Sequence, residues 1–208
     1  MLSPFATAAG LAYGGGMGRS ILTGAVIAGW IALAAAQAAD EPRRVIFTAR
    51  TAEGEVWANV GLTGQRLDQS YVPMVVAVAN RGGQAAVVDR DTIRLIGPDG
   101  LRYPMPTLRE LRRNYRRMSL DSRSVSGAGI PWEVWRRDGK LVDSNFFPEL
   151  ASSRRAIAID EVTLAPGFAM VDLLYFAKPP GLGPRTPFVL EVSPIGWETP
   201  IRLGIILE

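Results

Sequence analysis

The chain contains neither cysteine nor histidine. Without cysteine there is no disulfide framework, no thiolate nucleophile, no cysteine-ligated zinc and no lipid-modified cysteine. Without histidine the commonest general base and the commonest transition-metal ligand are both missing. Catalysis would fall to carboxylates, Tyr, Ser/Thr or the two lysines, Lys140 and Lys178. A bound metal would be a hard, oxygen-ligated ion such as calcium. The glycine pairs offer no phosphate loop, since Gly181-x-Gly183 is linker-like and Gly14-Gly15-Gly16 lies in a removable segment. These absences point to a non-enzymatic protein with no cofactor and no resident metal.

What is present is ordinary for a globular domain: 48% of the 208 residues are apolar and 21% charged, so disorder is not the expectation. The net charge of +3 is small, and all but two of the 23 basic residues are arginine. Where that charge sits is more informative than its total.

From Ile21 to Ala39 the chain carries no charge, with Arg19 before the run and Asp40 and Glu41 after it. A basic flank, an apolar core and the small-x-small triplet Ala36-Gln37-Ala38 are the parts of a secretory signal peptide. Cleavage is expected after Ala38, giving a signal helix in 1–38 and a mature domain in 39–208. Met17 opens MGRSILTGAV, a well-proportioned n-region after a long uncharged preface, and is read as the initiating residue. Kept uncleaved, a run of this length just spans a bilayer as an anchor. Both readings place the domain outside the cytoplasm, periplasmic or extracellular, which makes nucleic acid an unsuitable partner.

The mature chain reads as short strands between turns. Predicted strands are Val45–Arg50, Glu55–Leu62, Tyr71–Asn80, Ala85–Asp89, Thr92–Ile96, Leu101–Tyr103, Ala156–Leu164, Ala169–Ala177, Pro187–Val192 and Ile201–Leu207. Tyr71–Asn80 (YVPMVVAVAN) is the strongest of these and is expected to be buried at least on its Val/Met side. Gly97-Pro98-Asp99-Gly100 has tight-turn chemistry and makes Thr92–Tyr103 a hairpin. Gly64–Ser70 and Ser119–Gly129 read as loops. Thr107–Met118 (TLRELRRNYRRM) carries Leu108, Leu111, Tyr115 and Met118 at helical spacing, and Thr107 with Glu110 forms a capping box. With no βα alternation, the expected fold is all-β, a β-sandwich with one inserted short Arg-rich helix.

The strand VVAVAN, the hairpin residues Leu95, Asp99, Gly100 and Tyr103, the turn Leu164, Pro166 and Gly167, and the strand ending in Tyr175-Phe176 carry a resemblance. Tyr71–Tyr103 read with Ala165–Val192 resembles the immunoglobulin-like domains of unknown function in secreted and lipid-anchored bacterial envelope proteins. The resemblance implies an immunoglobulin-like β-sandwich, an extracytoplasmic location and a binding or assembly role, and it carries over no catalytic residue. Two departures stand out: there is no lipid-anchor cysteine, and residues 104–150 form a long insertion.

That insertion holds the candidate site. Between Arg109 and Arg137 eight arginines face three acids, Glu110, Asp121 and Glu133. On a continuous helix Arg112, Arg113, Arg116 and Arg117 would share one flank. With Arg109 they could meet an acidic envelope protein, where arginine suits bidentate carboxylate pairing, or an anionic membrane or glycolipid surface; the remaining reading is a solvated face. Trp132, Trp135, Phe146 and Phe147 offer either an aromatic platform for glycan or peptide or a packed core. Asp89 with Asp91 and Asp160 with Glu161 are the carboxylate pairs an envelope hydrolase or a calcium site would need, though neither has the required spacing pattern. The alternatives to a binding module are thus a carboxylate-based glycan or peptide hydrolase and an inner-membrane-anchored structural subunit.

Overall fold

Branched and aromatic runs separated by turn residues build a mostly β protein. The computed structural model describes residues 45–123, 129–148 and 158–207; the expected signal segment and its cleavage site lie outside these residues. Eleven strands and four short helices occur among the described residues. The strands are β1 (Ile46–Arg50), β2 (Gly54–Asn59), β3 (Tyr71–Asn80), β4 (Ala86–Asp89), β5 (Ile93–Ile96), β6 (Arg102–Pro104), β7 (Leu141–Val142), β8 (Glu161–Leu164), β9 (Ala169–Ala177), β10 (Pro187–Val192) and β11 (Ile201–Ile206). The helices are α1 (Gly61–Gln65), α2 (Leu108–Asn114), α3 (Met118–Asp121) and α4 (Trp132–Arg137).

One sheet has the order β1-β2-β3-β9-β7, a second β11-β10-β5-β6, and β4 pairs with β8 alone. All pairings are antiparallel except that of β7 with β9, where Leu141 lies opposite Ala169 and Val142 opposite Met170. A single hydrophobic cluster draws on both larger sheets, with Val56, Met74 and Leu174 from the first and Leu95, Leu190 and Leu203 from the second.

β3 is the spine of the fold. From Val72 to Asn80 every residue is buried, on both faces rather than on the Val/Met side alone. The second face is covered by the 104–150 segment: Trp135 packs edge-on against Trp57 of β2 at 5.0 Å, and Tyr115 and Phe147 each pack edge-on against Tyr175 of β9 at 5.3 Å. Trp57 lies opposite Ala77, and Tyr175 opposite Pro73, and residues opposed in register share a face. The insertion is therefore a packed layer of the domain and contributes β7 to its sheet.

The β5–β6 hairpin forms as the turn chemistry requires. Gly100 takes φ +75°, a conformation open to glycine, and the Asp99 carboxylate accepts from Leu101 N at 3.0 Å and from the Tyr103 hydroxyl at 2.5 Å. At another turn, Trp197 lies across Gly54. A Cβ there would fall 2.0 Å from its ring, so only glycine fits. The Glu53 carboxylate beside it accepts from Glu198 N and Thr199 N at 2.9–3.1 Å, tying the β10–β11 connection to the β1–β2 turn.

Four expectations need correction. β2 stops at Asn59, not Leu62, because the Asn59 side chain accepts from Gly61 N at 2.8 Å and the chain turns into α1, which takes up part of the expected Gly64–Ser70 loop. The described part of Ser119–Gly129 begins helical rather than as a loop; the run at Trp132, for which no element was expected, is also helix. Within Ala156–Leu164 only Glu161–Leu164 is strand among the described residues. Ile159 N instead bonds Asn145 O at 3.0 Å and Asp160 turns to Arg90, which draws the chain away from β4.

Candidate cationic contact surface

The surface begins at the capping box. Thr107 N donates to Glu110 Oε2 at 2.8 Å and Glu110 N donates to Thr107 Oγ1 at 3.2 Å, satisfying two end-of-helix donors at once. The Thr107 hydroxyl also donates to Glu110 Oε2 at 2.8 Å, and that bond, followed by the one from Thr107 N, holds the Glu110 carboxyl below the usual range. α2 buries Leu111 and turns Arg109, Arg112 and Arg113 to solvent.

The helix does not continue to Met118. Tyr115 adopts φ −133°, ψ 120°, an extended conformation that sends its ring inward between Tyr71 and Tyr175. Its hydroxyl bonds Asp121 Oδ2, and burial, followed by that bond, raises its pKa. The fully buried Asp121 carboxylate also accepts from Arg66 Nε at 3.0 Å and Nη2 at 2.8 Å on Oδ1. This Arg66–Asp121–Tyr115 triad breaks the expected helix in two and fastens both halves to the α1–β3 connection. Arg112 and Arg113 sit in the last turn of α2, whereas Arg116 and Arg117 lie in the link before α3. The four arginines thus do not share one helical flank.

They do share exposure. Arg109, Arg112, Arg113, Arg116 and Arg117 all face solvent, and among the described residues none makes an ion pair. The acid nearest in sequence, Glu110, is occupied by its cap. Leu120 stands beside them, 53% exposed, while Met118 and Asp121 of the same short helix are buried.

A second anchor lies at the far end of the insertion. Arg90, between β4 and β5, donates to Asp160 Oδ1 at 2.5 Å, Pro106 O at 3.2 Å and Phe146 O at 2.6 Å. Its guanidinium also lies 4.7 Å from the Phe147 ring centre, within cation–π range. The other polar group of Phe146, its N–H, donates to Asp172 Oδ2 of β9 at 3.0 Å, and Leu173 N donates to Oδ1 at 2.8 Å. Burial pushes the Asp172 carboxyl up to about 6, against the lowering effect of those bonds. Asp172 also borders a small slot of about 140 Å³ with Phe147 and Tyr175.

Among the described side chains the aromatics form no exposed platform. Phe146 and Phe147 are buried, and Trp135 is half-buried against Trp57. Trp132 opens α4, and its side chain lies outside the described residues. Trp135 borders a cleft of about 250 Å³ with Val134, Asp138, Lys140 and Arg81. The carboxylate pairs are also otherwise engaged: Asp89 Oδ1 accepts from Asp91 N and Thr92 N at 2.8 and 2.9 Å, forming the turn itself, and Asp160 holds Arg90. Among the described residues no group of three or more acids converges on a metal-sized site.

The residues that build the site, Arg66, Arg90, Asp121 and Asp172, carry a shared signal, a charged side chain that ends up largely buried. Only Asp172 announces it in sequence, as the lone charge within AMVDLLYFA. Comparison with protein-family models, with curated proteins and with solved structures found no match.

Proposed function

We propose that this chain is an extracytoplasmic, non-enzymatic binding or assembly module on an immunoglobulin-like β-sandwich, with the arginine surface of its insertion as the contact face. The signal-like composition of residues 21–39 supports the location, and two sheets that share one core support the sandwich. The observation that carries the contact face is that five exposed arginines within nine residues have no ion pair among the described residues.

A face serving solubility alone mixes charges of both signs. Here like charges stand close together: α2 is about 10 Å long at 1.5 Å per residue, comparable with the Debye length of about 8 Å at physiological salt. Their mutual repulsion is therefore only partly screened, and an anionic partner relieves it. The face is also held in place, because Arg66–Asp121 and Arg90 secure both ends of its support.

Co-sedimentation of the full chain with isolated cell envelopes across a salt series tests this reading. The expected result is binding that weakens with salt and is lost when Arg109, Arg112, Arg113, Arg116 and Arg117 are all changed to Gln. Equal binding by the two proteins would overturn it.

A further inference from the structure

Resting on that reading, we infer that the partner is an anionic phospholipid surface, met by the five arginines through headgroup phosphates and by Leu120 through the acyl boundary. The charge pattern provides the first support. The exposed stretch presents five arginines with no ion pair among the described residues, and the one exposed acid within it, Glu110, bonds Thr107 through Oε2. A protein interface is specified by complementary charges in a fixed register, whereas a sheet of phosphates accepts an array of guanidiniums in any register. Arginine also meets phosphate in a bidentate manner that lysine cannot.

Leu120 provides the second. It lies in α3, just beyond Arg116 and Arg117, and Met118 and Asp121 are buried on the opposite side of that turn. Asp121 is locked by two bonds from Arg66 and one from Tyr115. With that face fixed inward, helical geometry points Leu120 outward, and it remains 53% exposed. A leucine held outward next to a row of arginines has the composition of an interfacial contact, cations over headgroups and an apolar side chain below them. The long arginine stems allow the guanidiniums to stay at phosphate level while Leu120 goes deeper.

The third support is shape. Among the described residues, the five arginines and Leu120 line none of three clefts: a groove of about 660 Å³ bordered by β1, β5, β10 and β11, the slot at Asp172, which meets α3 at Met118, and the cleft at Trp135. The arginine face offers no pocket among these for a discrete ligand and suits an extended surface.

The test is partition of the full chain onto vesicles of equal parts phosphatidylglycerol and phosphatidylcholine and onto pure phosphatidylcholine vesicles. The quantity read is the ratio of the two partition coefficients. The uncharged run at 21–39 is the same in every variant and cancels when ratios are compared. Each arginine changed to Gln is expected to lower the ratio about fivefold. Raising salt from about 0.1 M to about 1 M, which shortens the Debye length from about 10 to about 3 Å, should abolish the preference. Leu120→Ser should weaken binding to the anionic vesicles about tenfold while leaving the salt dependence unchanged. Every substituted side chain is exposed, so thermal unfolding should match that of the parent and confirm folding.

Equal ratios for the parent and the five-arginine variant would overturn the lipid inference, and an unaltered Leu120→Ser variant would overturn the role of Leu120. Envelopes stripped of protein by protease separate this inference from the one it rests on. Arginine-dependent binding that survives the protease supports lipid. Binding that needs intact envelope proteins overturns lipid while the contact face stands. No arginine-dependent binding to envelopes or to vesicles overturns both.

Discussion

Asp172 makes the stability of this domain depend on pH in the direction opposite to that of a salt-bridged carboxylate. Its pKa rises from 3.8 to about 6 in the folded chain because burial penalises the charged form. Between those values the folded chain keeps a proton that the unfolded chain has released. The stabilisation is thus fully present below pH 3.8 and is lost as pH rises through 6. At 1.36 kcal/mol per pKa unit the change amounts to about 3 kcal/mol. Asp172→Asn cannot titrate, so its stability should not follow this course. Urea unfolding of both proteins, monitored by tryptophan fluorescence from about pH 3.5 to about pH 7.5, isolates the effect, because other titrating groups cancel in the difference. The parent should lose about 3 kcal/mol relative to the variant across the series, a midpoint shift of about 1.5 M for a slope of about 2 kcal/mol/M. A difference that stays flat, or that moves in the parent's favour as pH rises, would refute a desolvated carboxylate at this position.

Other perturbations test the supports of the arginine face and the packing of the β1–β2 turn. Asp121→Ala leaves Arg66 and the buried Tyr115 hydroxyl without their acceptor and should cost about 3–5 kcal/mol by denaturant titration; an unchanged midpoint would mean that the triad does not hold the insertion. Arg90→Lys keeps one charge but cannot reach Asp160, Pro106 O and Phe146 O together. Amide exchange at Phe146 and Ile159 should accelerate about tenfold, and unchanged protection would remove Arg90 from its anchoring role. Gly54→Ala places a methyl group inside the Trp197 ring and should cost about 1–3 kcal/mol, with red-shifted tryptophan emission as the ring is expelled. Parent-like emission and stability would show that the ring can move aside without loss.

The sequence made the strands legible because turn chemistry and branched runs are local. VVAVAN, the Gly97–Gly100 turn and AMVDLLYFA declare themselves without reference to the rest of the chain, and each is where it was expected. The Thr107–Glu110 cap likewise marks the helix start, since it needs only four residues. The helix end was not legible. Leu111, Tyr115 and Met118 keep helical spacing, yet a partner 55 residues away in sequence, Arg66, fixes Asp121 and with it the turn that follows Tyr115. The aromatics were ambiguous for a similar reason. Phe146 is buried because Arg90 and Asp172 hold its peptide groups, and neither residue is near it in sequence. The basic residues stood out as a cluster. Which of them remained at the surface depended on these distant bonds.

The pairing of β7 with β9 has a consequence for how this domain can change over evolutionary time. Leu141 and Val142 cover the backbone of β9 at Ala169 and Met170, Trp135 covers Trp57, and Tyr115 and Phe147 cover Tyr175. Cutting residues 104–150 back to a short connection would expose a strand edge and an apolar sheet face together, which invites self-association. A lineage in which the proposed contact served no purpose would therefore still keep the segment. The surface arginines can change one at a time while Arg66, Arg90, Asp121 and Asp172 stay in place, so the cationic face should vary before the segment itself is lost.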